Sequence, residues 1–206
     1  MFNSGYIKSK IDENDIILDS RFEKSLNIPN NYNFAEFMNI PAKNQGVSQK
    51  CVPYSLSTII ETNKKLDDIE YQLSIDDIYN SREPKTDGMQ IKDALKYIKN
   101  VGYCALKSNI REKIITYGRL NSYLAIKNSV FMNGPCIMAL PVYDIERTDF
   151  WNGNNFQGGH AITCVGYNEE GLILLNSWGS DFGNNGLCTL PYTECNKILE
   201  CWAIIL

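Results

Sequence analysis

Three side chains could act together as a nucleophilic centre: Cys51, His160 and Asn176. Cys51 stands in NQGVSQKCVPYSLS, at the head of a segment where Val52, Leu56, Ile59 and Ile60 recur at helical spacing. A thiol at a helix N-terminus feels the positive end of the dipole. Backbone N–H groups without intrahelical partners there favour the thiolate, which is the reactive form. His160 is the only histidine in 206 residues, so any imidazole chemistry must run through it. A zinc site built on several imidazoles is therefore excluded. It follows two glycines in GGHAITCVGY, which would let a substrate backbone approach the ring. Asn176 ends the apolar run LILL and precedes Ser177 and Trp178. Its amide oxygen could fix the orientation of the imidazole while the indole shields that bond from water. Taken singly, each has a plainer reading: a packed cysteine, a strand-edge histidine, a turn asparagine.

The elements that must hold these residues are legible in the periodicity. CVPYSLSTIIETNKKL reads as a helix, with Pro53 tolerable because it lies in the first turn. MQIKDALKYIKNVG reads as a second helix, with Ile91, Ala94, Leu95 and Ile98 on one face and Gly102 past its end. RLNSYLAIKNSVFMNG reads as a third. After Pro135 the texture changes to short runs rich in branched or aromatic residues: PCIMALPVY, HAITCVGY, LILLNSW and ECWAIIL. Helices followed by strands imply an α+β chain with two lobes. The first forty residues, polar and broken by Asn and Pro, read as extended chain and loops.

Composition narrows the function classes. Apolar residues make up 44% and charged residues 21%, with a formal net charge of -4. That balance gives no reason to expect nucleic acid or an anionic membrane as partner. The N-terminus lacks a basic region followed by an unbroken apolar stretch, so it does not read as a secretory signal. Seven cysteines without a C-x-x-C pair suggest neither a disulfide framework nor a zinc ribbon. Several lie in apolar runs as small buried hydrophobes. A cytoplasmic or other reducing compartment, with no metal and no cofactor, is the expectation.

The motifs NQG…C, GGHA and NSWG, in that order, resemble the papain-like (C1) peptidase family. Gln45 stands six residues before Cys51 and His160 sixteen before Asn176, the steps of that family's oxyanion-hole glutamine and its His–Asn pair. The resemblance implies a papain-like two-lobe fold with the cleft between a helical lobe and an antiparallel, barrel-like lobe. It divides the chain into a strap over 1–40, a helical lobe over about 41–125 and a β lobe over about 126–206. It further implies a cysteine endopeptidase acting through a thiolate–imidazolium pair and an acyl-enzyme, a monomer taking peptide or protein substrates. Gly88, Met89 and Ile91 would form one wall of the substrate cleft. Ala139, Gly159, Ala161 and Trp178 would form the other. The pocket for the second residue before the scissile bond, lined by Ala139, Ala161 and Met89 or Ile91, is expected to be apolar and without charge. Two other readings remain: an amidase, transpeptidase or acyltransferase on the same fold, or a non-catalytic peptide-binding module.

Departures from the family pattern are plain. Ser48-Gln49-Lys50-Cys51-Val52 replaces the usual C-G-S-C-W, which removes a characteristic disulfide. Lys50 either favours the thiolate or points to solvent. Asp87-Gly88 replaces a glycine pair, and the first forty residues are not expected to form the family's usual helical propeptide. The strap, with anchors at Tyr6, Ile16, Ile17, Leu18 and Phe22, could close on the cleft or brace the two lobes. The brace is preferred, because Ile16 to Leu18 reads as a cluster built for burial.

Overall fold

The computed structural model describes residues 5–22, 27–83, 85 and 87–206. In chain order the first half contains β1 (Tyr6–Ile7), α1 (Asp19–Phe22), β2 (Tyr32–Asn33), α2 (Phe34–Phe37), α3 (Cys51–Leu66), α4 (Ile75–Asn80), β3 (Met89–Gln90) and α5 (Ile91–Asn100). There follow β4 (Tyr103–Cys104), β5 (Arg111–Glu112), β6 (Thr116–Arg119), α6 (Tyr123–Asn133), β7 (Cys136–Val142), β8 (Gly158–Tyr167), β9 (Gly171–Leu175), β10 (Leu187–Pro191) and β11 (Glu200–Ile205).

The main sheet runs β10-β9-β8-β7-β11-β6, with β1 and β2 added along β8. Its central strands are apolar on both faces because both faces are covered. Strand alternation sends Ile137 and Ala139 of β7, and Trp202 and Ile204 of β11, toward the cluster built on α3 and α5. Their neighbours Met138, Leu140, Cys201 and Ala203 join a second cluster with Ile126 and Val130 of α6. The continuous apolar runs of the sequence are the signature of this double burial. Helix α3 buries Val52, Leu56, Ile59 and Ile60 completely. The Thr163 hydroxyl of β8 donates to the Ser55 carbonyl at 3.2 Å, which ties the first turns of α3 to the sheet. All seven cysteines are free thiols.

The second helix starts at Ile91 and not at Met89, because Met89 and Gln90 pair in parallel with Tyr6 and Ile7. Of the apolar cluster at 16–18 only Leu18 is buried, while Ile16 and Ile17 stay about half exposed. The backbone does the bracing there. Leu18 N–H donates to the Arg119 carbonyl at 2.9 Å, and Arg119 N–H donates to the Ile16 carbonyl at 2.7 Å. Gly118 permits this approach, since a Cβ there would lie 2.6 Å from Leu18 Cγ and 2.8 Å from the Ile16 carbonyl.

Charge completes the attachment. Asp15, with a side chain only 5% exposed, accepts Lys92 at 2.5 Å and Arg119 at 2.9 Å. Removing one partner of a buried ion cluster strands the others and is strongly destabilising. Asp15→Asn is therefore expected to lower the melting temperature by several degrees and to speed limited proteolysis between residues 10 and 17. Unchanged cleavage in that stretch would show that the ion cluster does not hold the strap.

Candidate active site

Cys51 is the first residue of α3 and is fully buried. The Ala161 N–H of β8 points at its sulfur across 3.5 Å. Burial pushes the thiol up to about 11, opposed by the backbone N–H groups of Ala161, Gly5 and Val52, which hydrogen-bond the sulfur. His160 precedes Ala161 in β8, and its Nε2 lies 2.8 Å from Asn176 Oδ1. Ser177 N–H donates to the same Oδ1 at 2.8 Å, which fixes the amide orientation and makes Nε2 the donor. Nδ1 is then the basic nitrogen, and it has no hydrogen-bond partner among the described residues. Trp178 covers the pair with ring centroids 4.6 Å apart, and Phe150 meets the imidazole edge-on at 5.9 Å. Burial pulls the imidazole down to about 4, against the Asn176 bond, which acts to raise it.

Gln45 is held from both ends of its amide. Its Oε1 accepts the Ser177 hydroxyl at 2.6 Å, and Nε2 donates to the Ser48 carbonyl at 2.7 Å. That leaves Nε2 one further hydrogen. The first N–H groups of α3 are not consumed by the helix and remain available at the Cys51 end. Among the described residues no group of three or more His, Cys, Asp or Glu is placed to hold a metal ion. None of their helices is long and apolar enough to cross a membrane.

The family model described as papain family cysteine protease matches residues 36–201. The chain belongs to that family. It is 25% identical to an uncharacterised peptidase C1-like protein of Acanthamoeba polyphaga mimivirus, over 98% of this chain and 86% of that one. The crystal structure of xylellain, a cysteine protease from Xylella fastidiosa, superposes with a TM-score of 0.82 at 20% identity, covering 99% of this chain and 96% of that one. The digestive procathepsin L2 proteinase of Tenebrio molitor superposes at 0.76 and 18% identity, covering 100% of this chain and 78% of its own. The fold is thus papain-like, and family membership makes the chain a hydrolase of the cysteine peptidase class.

Within this papain-like frame the two expected cleft walls do face one space, and the chain's own strap fills it. Tyr6 pairs with Met89 on one side and with Gly159 on the other. The Gly5 carbonyl accepts the Met89 N–H at 2.8 Å. Glycine is needed at 159 because a Cβ there would sit 2.3 Å from the Tyr6 ring. Tyr6, Met89, Ile91, Ala139 and Ala161 share one buried cluster with Cys51. Gly88 lies against Gly5, and Trp178 stacks on His160 away from this pocket. Lys50 turns to Asp76 at 2.6 Å, in a solvent-exposed ion pair. Residues 5–7 of the strap thus supply the strand edge between β3 and β8, in the space between the two expected walls.

The pocket is not purely apolar. Glu200, which pairs with Ala139 and is 5% exposed, accepts the Tyr6 hydroxyl at 2.6 Å. Nothing local in ECWAIIL marks this carboxylate as part of a pocket. It reads there as the polar start of a strand.

With one histidine in the chain, imidazole titration can be read directly by NMR. In the full chain its midpoint should lie near 4, well below the ordinary 6.5, because the covered site excludes the charged form. The linked stability is then complete above about pH 6.5 and declines as the pH falls from there through the lowered value. A midpoint near 6.5 would mean that the ring is hydrated in the resting state.

Proposed function

We propose that the chain hydrolyses peptide bonds by acyl transfer to Cys51, and that residues 5–9 hold this activity latent. The observation that carries the reading is the His160–Asn176 pair on the strand that meets Cys51. The thiol heads a helix and takes the N–H of Ala161, the residue after an imidazole whose Nε2 is already committed to an amide oxygen. Such a pair leaves one nitrogen, Nδ1, to take the thiol proton.

With the strap in place both partners are neutral. Burial raises the thiol and lowers the imidazole, which opposes transfer of the proton between them. The segment is also the wrong ligand for attack, since Gly5 presents its N–H to the sulfur and not a carbonyl carbon. The procathepsin structure, a proform by its description, aligns over this whole chain, N-terminal segment included.

When the strap withdraws, water and substrate enter. The Cys51 proton moves to His160 Nδ1, and the thiolate adds to the substrate carbonyl carbon. The resulting oxyanion is met by the Cys51 backbone N–H and the second Nε2 hydrogen of Gln45, at about 3 kcal/mol per donor. His160 then protonates the departing amine. A water deprotonated by His160 cleaves the thioester and restores the thiol. Asn176 keeps the ring oriented throughout, and Trp178 keeps water from their bond.

Cys51→Ala should abolish peptide hydrolysis while leaving the circular dichroism spectrum intact, and His160→Ala should be nearly as damaging. Either variant retaining more than about a hundredth of wild-type turnover would exclude this mechanism. Tyr6→Ala in the full chain is expected to raise turnover about tenfold or more, because the cleft loses its anchor. No rise, with a folded and otherwise competent variant, would return the strap to a purely bracing role.

A further inference from the structure

Resting on the peptidase reading, we propose that Tyr79 is a positioning residue for the backbone edge formed by Gly88 and Met89. Its phenol oxygen accepts the Gly88 N–H at 3.4 Å and holds that turn ready to pair with a substrate backbone. The strap shows how closely an extended segment lies on the edge. The Gly5 carbonyl accepts the Met89 N–H at 2.8 Å, and Tyr6 and Ile7 run parallel to Met89 and Gln90. Gly88 has φ +82, in the left-handed region that favours glycine. A Cβ there would also lie 2.8 Å from the Gly5 carbonyl oxygen and 3.1 Å from the Ile7 side chain.

Tyr79 is itself firmly placed, and by groups outside the strap. It lies in the last turn of α4 and belongs to the buried cluster that contains Cys51, Met89 and Ile91. The Arg82 guanidinium lies 3.4 Å over its ring, and Arg82 Nη1 donates to the Tyr79 carbonyl. Lys50 Nζ lies 5.5 Å from the ring centroid and pairs with Asp76. Asp76 stands three residues before Tyr79, so the two occupy one face of α4. Lys50 directly precedes Cys51, and it thereby ties the head of α3 to the ring that supports the cleft edge.

When the strap leaves, the Met89 N–H loses the Gly5 carbonyl and Gly88 loses the backbone that lies on it. The bond from Gly88 to Tyr79 stays, because neither partner belongs to the strap. Glycine has the widest backbone freedom of any residue. Without this bond the turn would wander, and a substrate would have to order it on binding. That cost falls on binding and not on the chemical step. Among the described residues Tyr79 makes no hydrogen bond to Cys51, His160, Asn176 or Gln45.

The test uses the full chain carrying Tyr6→Ala, with and without Tyr79→Phe, which removes the hydroxyl and keeps the ring under Arg82. For a blocked tripeptide amide, Tyr79→Phe should raise KM about fivefold, the loss of one hydrogen bond. The kcat should stay within about twofold, and turnover of a single amino acid ester, too short to reach Gly88, should not change. A second readout needs no turnover and so separates this role from the peptidase reading. Labelling of Cys51 by a peptidyl epoxide should slow about fivefold, while labelling by iodoacetamide holds its rate. Selective slowing of the epoxide in a chain that cleaves nothing would keep the role of Tyr79 and remove the hydrolase mechanism. Equal losses with both labels, a fall in kcat at constant KM, or no change at all would overturn the proposal. The Gly88 amide in the Tyr6→Ala chain gives a third readout that does not depend on the folding of the Phe variant. It should exchange with solvent at least about tenfold more slowly than a free glycine amide, and exchange at the free rate would overturn the proposal as well.

Discussion

The site depends on the docking of one helix end against one strand. Helix α3 brings Cys51 to its first position, and β8 brings His160 and Ala161 to the same depth. The contact is fixed by apolar burial along α3 and by the Thr163–Ser55 bond one turn into the helix. A shift of about an angstrom there would take the thiol off the Ala161 N–H that points at it, and misplacement of that size is costly in rate. Around this contact the other parts follow. Asn176 enters at the end of β9 and orients the ring, while the Ser177 hydroxyl steadies Gln45 from the opposite side. Neighbouring residues of one turn thus hold both His160 and Gln45, the residues the proposed mechanism uses for proton transfer and for the oxyanion.

The same burial that fixes the geometry quenches the chemistry. Burial disfavours both the thiolate and the imidazolium, and the few hydrogen bonds to each do not offset it in the covered site. On the proposed reading, latency is not a separate device added to a working centre. It follows from closing the cleft with a segment that is itself a strand of the sheet. The strap's hold is shared between backbone pairing at Tyr6, the Glu200 carboxylate, and the Asp15 cluster with Lys92 and Arg119.

Much of this was legible in the residues. The helices at 51–66, 91–100 and 123–133, and the strands beginning at Cys136, Gly158, Gly171 and Glu200, follow from apolar spacing, because local period records which face is buried. The grouping of Cys51, His160, Asn176 and Gln45 came from the family resemblance of their motifs, each being a weak signal alone, and the bonds of His160 to Asn176 and of Ser177 to Gln45 are found in the structure. Other features left no local trace. Strands β1 and β3 have two residues each, too few for any alternation to register. Glu200 meets Tyr6 across 194 positions and Ser9 of the same strap across 191, and its partner Arg119 comes from a further segment. Ile16 and Ile17 misled in the opposite sense. Their composition suggested burial, yet it is the backbone beside Gly118 that holds this stretch, with their side chains half exposed.

The central claim is that one thiol of seven is built for attack and that the strap alone withholds it. Mass-spectrometric mapping after brief exposure to a peptidyl epoxide, on native full chain and on the Tyr6→Ala chain, addresses it directly. The account predicts slow adduct formation on the native chain, faster formation on the variant, and a label on Cys51 only in both. Labelling spread over several cysteines, or on any thiol in preference to Cys51, would contradict it.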